Sequence, residues 1–348
     1  MAKLTRIKKV FLFIEHPAAG GILLLGCVLL SLLIANSPLN DGFNRLLGLG
    51  IIGGFTISST VNDGLMAVFF LMAGLEIKRE VVEGQLSGLK KATLPVLCAA
   101  GGMIVPALIY YLFNHNAATH AGWGIPMATD IAFAVAILNA LRRIVPPALR
   151  VFLTALAIVD DLGAILVIAI FYTQELHTTY LYYTAGLFAL MLVFNYFNLK
   201  NILFYLIPGI VMWYCIHHSG VHATVAGVLT AFAIPVRTRN GYSPLTVLEH
   251  QLADPVNFLI LPLFALANTN ITYVEGMLSD LFTPLGIGII IGLVLGKPIG
   301  ILLMAWTAIK ARLSVLPDGV NWMHMTGMGL LAGIGFTMSI FIALLSFD

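Results

Sequence analysis

Apolar residues in this sequence gather into long runs that short polar segments separate. The longest runs are sufficient to cross a hydrocarbon core of ~30 Å as a helix. We predict eleven membrane spans, at about residues 18–36, 61–77, 94–113, 122–141, 149–172, 178–198, 202–216, 220–235, 251–270, 285–309 and 322–346. The pattern therefore predicts an all-α polytopic membrane protein, a helical bundle in one domain, 1–348.

Two adjacent carboxylates interrupt the longest apolar run, ALAIVDDLGAILVIAI at residues 155–170. An ionisable group at the centre of a bilayer costs about 2.5–3.5 kcal/mol even on the mildest scale. Asp160 and Asp161 are therefore expected to face protein, water or a cation. Successive helix residues point about 100° apart, so the two side chains can serve different partners in one cavity.

Glycine and proline indicate that two spans are interrupted. The fourth contains GWGIPMATD at 122–130 and the eleventh contains GMGLLAGIG at 327–335. Two broken helices in separate halves are typical of transporters built from inverted repeats, in which half-helix ends meet at the ion site. Close packing of whole helices is the alternative explanation of the glycines.

Three polar residues lie beside these breaks or are expected at the same depth in the membrane. Asp130 is expected to offset the partial positive charge of half-helix N-termini. Thr129 offers a hydroxyl and a carbonyl as hard oxygen ligands. Lys297 is the one lysine or arginine in the interior of a predicted span, since Arg150 stands at the very start of another. An ion pair with an intramembrane Asp would lower its desolvation cost, and a snorkelling lysine is the alternative.

The basic residues predict the orientation in the membrane. With the N-terminus inside, 16 of the 18 lysines and arginines fall in inside segments, and Arg45 alone lies outside. This bias predicts a cytoplasmic N-terminus in a cytoplasmic-type membrane. The three cysteines lie in apolar runs without metal-ligand spacing, which argues against disulfides or a zinc site.

The first outside loop contains two short apolar stretches around Gly53–Gly54, in IIGGFTI at 51–57. A Gly-Gly pair in this position is a hairpin signal, and a flexible loop is equally compatible. The open edge of such a hairpin needs a partner strand. The sequence therefore suggests a homodimer formed through the region near residues 48–60.

Taken together, these features resemble the NhaA family of bacterial sodium/proton antiporters. The similarity extends over nearly the whole chain. Its motifs are FFLMAGLEIKRE at 69–80, PMATDIAFA at 126–134, AIVDDLGAI at 157–165, GVHATVAG at 220–227, LEHQLADPVNFLILPLFALAN at 248–268, GKPIG at 296–300 and GIGFTMSIFIA at 333–343.

The resemblance implies an NhaA-like fold and a role for each intramembrane charge. Asp161 is expected to be the principal Na⁺ carboxylate, with Asp160 beside it and Thr129 as a further ligand. Lys297 is expected to pair with Asp160 until Na⁺ binds, and Asp130 and Lys297 to compensate charge at two crossed half-helices. A pH-sensing cluster on the cytoplasmic side is expected to comprise Glu76, Arg79, Glu80, Glu249 and His250.

The same resemblance implies secondary antiport in the bacterial inner membrane. Intracellular Na⁺ or Li⁺ would exchange for external H⁺, electrogenically and under pH control, with no cofactor, no covalent chemistry and no nucleic acid. Family members usually have a twelfth span, which we do not find before Asp348.

Two other functions fit some of the same residues. A proton-coupled symporter would need aromatic and polar residues for a larger solute, which the spans do not supply. An intramembrane aspartyl protease would need a Gly-x-Gly-Asp signature, which the sequence lacks, and Lys297 would disturb a shared-proton dyad.

Overall fold

A computed structural model describes residues 19–51, 54–84, 86–141, 144–172, 176–238 and 241–347. The described part is helical and contains no regular β-strand. A 3₁₀ segment, Ala118–Met127, stands between the fourth and fifth helices. The helices are α1 (Ala19–Ala35), α2 (Asn40–Leu47), α3 (57–82), α4 (Leu89–Asn114), α5 (Ile131–Ala140), α6 (Pro147–Phe171), α7 (Thr178–Tyr196), α8 (Leu203–His217), α9 (Val225–Ala233), α10 (Pro244–Asn268), α11 (Met277–Asp280), α12 (Pro284–Lys310), α13 (Trp322–Ala332) and α14 (Phe336–Ser346).

Five of the described helical stretches are long and apolar enough to cross a membrane. Two bent pairs raise this number to seven if each is one span: α1 with α2, where the path bends by 116°, and α13 with α14, where it bends by 44°. The chain is thus a multi-pass, all-helical membrane protein, as the hydropathy pattern predicts. The eleven spans and their bounds remain a prediction, because several of the helices are short.

Both spans that were predicted to break do so. The fourth becomes the 3₁₀ segment, three non-helical residues and α5, and the eleventh becomes α13 and α14 around Gly333–Gly335. Within the 3₁₀ segment, a Cβ on Gly124 would lie 2.7 Å from the Tyr172 hydroxyl. The Gly124 N–H instead donates to that hydroxyl at 3.2 Å. Tight packing thus accompanies the break.

Three helices contain a π-helical turn, which inserts one residue and re-aims the side chains that follow. These turns are Thr60–Leu65 in α3, Val256–Ile260 in α10 and Gly292–Gly296 in α12. The last one immediately precedes Lys297. The intramembrane lysine therefore sits where the helical register has just shifted.

Small residues bring α4 and α12 into close contact. A Cβ on Gly101 would meet the Gly300 carbonyl oxygen, and a Cβ on Gly300 would meet the Gly101 carbonyl oxygen. Lys297 lies almost one turn before Gly300. The contact of the two backbones therefore holds the lysine inside the bundle.

The short helix α9 ends inside the protein, where its last carbonyl groups need donors. The Lys78 ammonium donates to the carbonyls of Phe232 at 2.6 Å and Ile234 at 2.5 Å. The Asn195 amide donates to the Ala233 carbonyl at 2.6 Å. Side chains from α3 and α7 thus complete the end of α9.

An aromatic core joins the long helices to the second broken span. The Phe341 ring of α14 lies 5.6 Å from Phe70 of α3 and 6.0 Å from Phe264 of α10, between ring centroids. All three side chains are buried. This packing fixes α14 next to the helices that carry the predicted site.

The loop between α2 and α3 shows part of the predicted hairpin. Gly50 and Thr56 form one isolated antiparallel bridge, and the Ile51 N–H donates to the Phe55 carbonyl at 2.7 Å. Residues 52–53 at the tip lie outside the described part. A reversal of the chain is therefore present, with less pairing than a regular two-stranded hairpin.

Candidate functional site

The two broken spans meet at Asp130. Its backbone N–H donates at 2.7 Å to the carbonyl of Ile334, which lies in the break between α13 and α14. Its carboxylate accepts from the Phe133 N–H at 2.9 Å, and from the N–H and hydroxyl of Thr337 at 3.2 and 2.5 Å. One buried carboxylate thus contacts the N-terminal turns of both α5 and α14, where the helix dipoles favour negative charge.

The carbonyl ends of the other two half-helices are also occupied. The Lys297 ammonium donates to the Met127 carbonyl, at the end of the 3₁₀ segment. The Thr129 hydroxyl lies 2.9 Å from the carbonyl of Ala332, the last residue of α13. Positive and polar donors therefore face the negative ends, and Asp130 faces the positive ends.

Lys297 and Asp160 form a buried ion pair. The ammonium nitrogen lies 2.5 Å from Asp160 Oδ2, and the two side chains are 0% and 1% exposed. The Thr129 hydroxyl lies 2.5 Å from the same oxygen. The contact agrees with the pairing that the sequence predicts, and the lysine does not snorkel.

The two adjacent aspartates face different surroundings. Asp160 Oδ1 is buried and has no hydrogen-bond partner in the described part of the chain. Asp161 lines a cavity of about 450 Å³ together with Glu76 of α3. One carboxylate therefore belongs to the helix crossing and the other to a cavity, and each keeps an oxygen that can accept a cation.

The five residues of the predicted pH cluster divide into three groups. Arg79 lies between two carboxylates, 2.8 Å from Glu249 and 3.4 Å from Glu80. Glu76 lines the same cavity as Asp161. His250 is exposed and follows Glu249 in the chain. The structure thus brings Arg79, Glu80 and Glu249 into direct contact, while Glu76 lies on the cavity wall and His250 at the surface.

A second polar cavity lies near the start of α3, next to the loop that contains the Gly50–Thr56 bridge. Asp63 lines it, 3.9 Å from His217 and 3.8 Å from His222. The Trp213 indole N–H donates to the Asp63 carbonyl at 3.1 Å. These groups are separate from the crossing of the broken spans.

No group of three or more His, Cys, Asp and Glu residues that could hold a metal ion occurs in the described ranges. The crossing instead offers two carboxylates, a hydroxyl and backbone carbonyls. Hard monovalent and divalent cations prefer such oxygen ligands. A cation at this site would be cargo that binds and leaves.

Sequence reasoning missed three groups at the crossing. Thr337 donates to Asp130 although it stands inside a motif that was noted only as a whole. The carbonyls of Met127 and Ala332 act through the backbone, so side-chain patterns do not reveal them. The available signal was general: each broken helix leaves carbonyl groups at its end that need a donor.

Comparison with known proteins identifies relatives along the whole chain. The Na⁺/H⁺ antiporter 1 family matches residues 12–348. The chain is 59% identical to the Na⁺/H⁺ antiporter NhaA 2 of Flavobacterium johnsoniae, in an alignment that covers 100% of this chain and 87% of that protein. It is 48% identical to the NhaA antiporter of Flavobacterium psychrophilum, with coverage of 97% and 87%. For the NhaA antiporter of Cytophaga hutchinsonii the identity is 49%, with coverage of 99% and 89%.

These matches confirm the family resemblance and indicate a transporter, not an enzyme. The apolar helices, the two broken spans and the buried charges at their crossing agree with that assignment. The chain belongs to the Na⁺/H⁺ antiporter 1 family, whose members matched here are NhaA antiporters.

Proposed function

We propose that this protein exchanges intracellular Na⁺ or Li⁺ for external H⁺ by alternating access. The observation that carries the proposal is the pair of adjacent, buried aspartates, of which Asp160 lies at the crossing of the two broken spans and Asp161 lines a cavity. Protons and a small hard cation compete for the same carboxylate oxygens, so that one species displaces the other. The names of the relatives support the same exchange.

The residues take different parts in this exchange. Asp161 is the principal Na⁺ ligand because its carboxylate faces the cavity. Asp160 adds its free oxygen, and Thr129 adds its hydroxyl when Na⁺ replaces Lys297 on Asp160. Asp130 and Lys297 offset the charges of the half-helix ends. No resident cofactor is needed, because the transported ions supply the only chemistry.

The charge count predicts electrogenic transport. If both aspartates lose a proton when one Na⁺ binds, each cycle moves one net charge across the membrane. The membrane potential then contributes about 2.3 kcal/mol per 100 mV to each cycle. The exchange can therefore expel Na⁺ even where the inward proton gradient is small.

The charged region around Arg79 is proposed to control activity with pH. Its carboxylates and His250 lie on the side that the basic residues assign to the cytoplasm. Coupled protonation there changes the charge balance around Arg79 and thereby biases the helices that line the cavity. Asp63 and His222 lie at the opposite, external cavity.

The protein is further proposed to lie in the bacterial inner membrane, in contact with lipid, with a cytoplasmic N-terminus and eleven spans. A homodimer is proposed to form through the loop near residues 48–60. The isolated bridge between Gly50 and Thr56 supports this contact, because its outer edge has backbone groups that a second copy can pair.

The test of the proposed function uses the purified protein in liposomes that enclose a pH-sensitive dye. A jump in Na⁺ should move protons in the opposite direction and generate a current on supported membranes. Lower pH should weaken the apparent Na⁺ affinity. Asp161→Asn should abolish the response, whereas Asp280→Asn, at the exposed end of the short helix α11, should not.

Two results would contradict the proposal. Proton movement in the same direction as Na⁺ would indicate symport. Normal Na⁺ currents in Asp161→Asn would exclude the assigned ligand. An electroneutral exchange in the unmodified protein would still be antiport, but it would contradict the proposed ratio of two protons for each Na⁺.

A further inference from the structure

A neutral polar residue shares the cavity with Asp161 and has no role in the exchange described above. Asn257 of α10 lines the same space of about 450 Å³. Most other residues on the wall are apolar, among them Phe69, Met72 and Leu261. A polar side chain in such a membrane-embedded, largely apolar wall is costly unless it meets water, a partner or a ligand.

The side chain of Asn257 has no hydrogen-bond partner in the described part of the chain, whereas Asn268, another amide of α10, donates to the Phe264 carbonyl at 2.9 Å. By contrast, Thr154, another polar residue on the wall, donates to the Arg150 carbonyl at 3.1 Å. The carboxamide oxygen of Asn257 is therefore available to the cavity.

The local backbone directs this residue to the cavity. Asn257 is the second residue of the π-helical turn Val256–Ile260, which follows Pro255. A π-turn shifts all later side chains around the helix axis relative to an unbroken helix. A Cβ on Gly20 of α1, which lines the same cavity, would lie 3.6 Å from the Asn257 Cβ and carbonyl oxygen. The α1 backbone thus holds this turn in place.

We propose that the carboxamide oxygen of Asn257 is a Na⁺ ligand in the state in which Asp161 faces this cavity. Asp161 supplies the charge and Asn257 a neutral oxygen, directly or through a water molecule, which is a common combination for hard cations. The inference rests on the proposed function. It adds a ligand that serves one side of the membrane only, because Asn257 lines the cavity that also contains Glu76.

The one-sided role gives a measurable signature. Loss of the ligand destabilises the cation-loaded state that faces the Glu76 side and leaves the opposite state unchanged. Asn257→Leu, which is similar in size, should raise the apparent KM for Na⁺ on the cytoplasmic side by about five- to tenfold, the worth of roughly one ligand contact. The KM on the external side should stay the same.

The experiment compares everted and right-side-out vesicles from cells without other Na⁺/H⁺ antiporters. Asn257→Asp restores an oxygen ligand and should return the cytoplasmic KM to the unmodified value or below it. Gln251→Leu, at an exposed position of the same helix, is the matched control and should change neither KM. If Asn257→Leu does not accumulate in the membrane, Asn257→Ala serves the same comparison.

The outcomes separate this inference from the proposed function. An unchanged KM in Asn257→Leu, an equal rise on both sides, or failure of Asn257→Asp to restore the KM would overturn the ligand role while the unmodified protein still exchanges Na⁺ for H⁺. Absence of exchange in the unmodified protein would instead overturn the proposed function itself.

Discussion

Replacement of Lys297 by methionine tests how much of the stability depends on the buried charges. Methionine keeps most of the volume but removes the ammonium, so Asp160 loses its ion-pair partner at a position where both side chains are at most 1% exposed. Removal of one partner of a buried pair typically costs about 3–5 kcal/mol, because the other charge stays buried. The Met127 carbonyl also loses its donor.

The double variant Lys297→Met/Asp160→Asn removes both charges. Since no uncompensated ion then remains, it should regain part of the lost stability, and the difference between single and double variants measures the coupling of the pair. Lys310→Met is the control on the same helix. Its ammonium lies 4.4 Å from the Trp306 ring near the helix end, where such a contact is worth about 0.5–1 kcal/mol.

Thermal unfolding of the purified variants in detergent, followed by tryptophan fluorescence, provides the measurement. The expected order of Tm is unmodified protein and Lys310→Met highest, the double variant intermediate and Lys297→Met lowest. A Tm of Lys297→Met equal to that of Lys310→Met, or a double variant below the single one, would refute the ion-pair argument.

Three further predictions concern groups outside the crossing. Glu249→Gln removes one of the carboxylates beside Arg79 and should move the pH of half-maximal exchange in a dye assay while the maximal rate is nearly retained; an unchanged pH profile would contradict regulation by this region. Lys78→Met leaves the carbonyl end of α9 without its ammonium donor and should lower the stability by about 1–3 kcal/mol, which is read as a lower Tm. Lys78→Arg retains a cationic donor and should keep much of that stability. Gly300→Val should prevent close contact with the Gly101 backbone and abolish both accumulation in the membrane and exchange; wild-type levels of active Gly300→Val would show that α4 and α12 can separate without loss.

The charged residues of the site could be predicted from sequence because the membrane makes them conspicuous. Asp160, Asp161 and Lys297 stand in runs that are otherwise apolar, so the cost of their burial alone indicates function. The role of Asp130 could be predicted from the glycines and the proline that precede it in the sequence. The breaks, the all-helical fold and the family were accessible for the same reason.

Other parts of the site depend on directions that sequence spacing does not give. Adjacent positions predict that Asp160 and Asp161 diverge, but only the packing of α12 decides which of them meets Lys297. The π-turn before Lys297 and the 3₁₀ form of the first half-span have no distinct sequence signal. The same holds for Asn257, one of three amide side chains in α10, which nothing in the sequence distinguishes until its cavity is known.

The arrangement of partial and full charges explains how, in the proposed exchange, the crossing can bind either protons or Na⁺. Asp130 stays fixed on the N-terminal turns of α5 and α14, and the Met127 carbonyl holds Lys297 independently of Asp160. In the proposed exchange, Na⁺ takes the place of the ammonium on Asp160, and Lys297 then keeps one strong acceptor and need not move into an apolar region. The half-helix ends would remain compensated in both states, so the change of charge would fall on Asp160 and Asp161. Competition between protons and Na⁺ at these two carboxylates can then proceed without disruption of the broken helices that hold them.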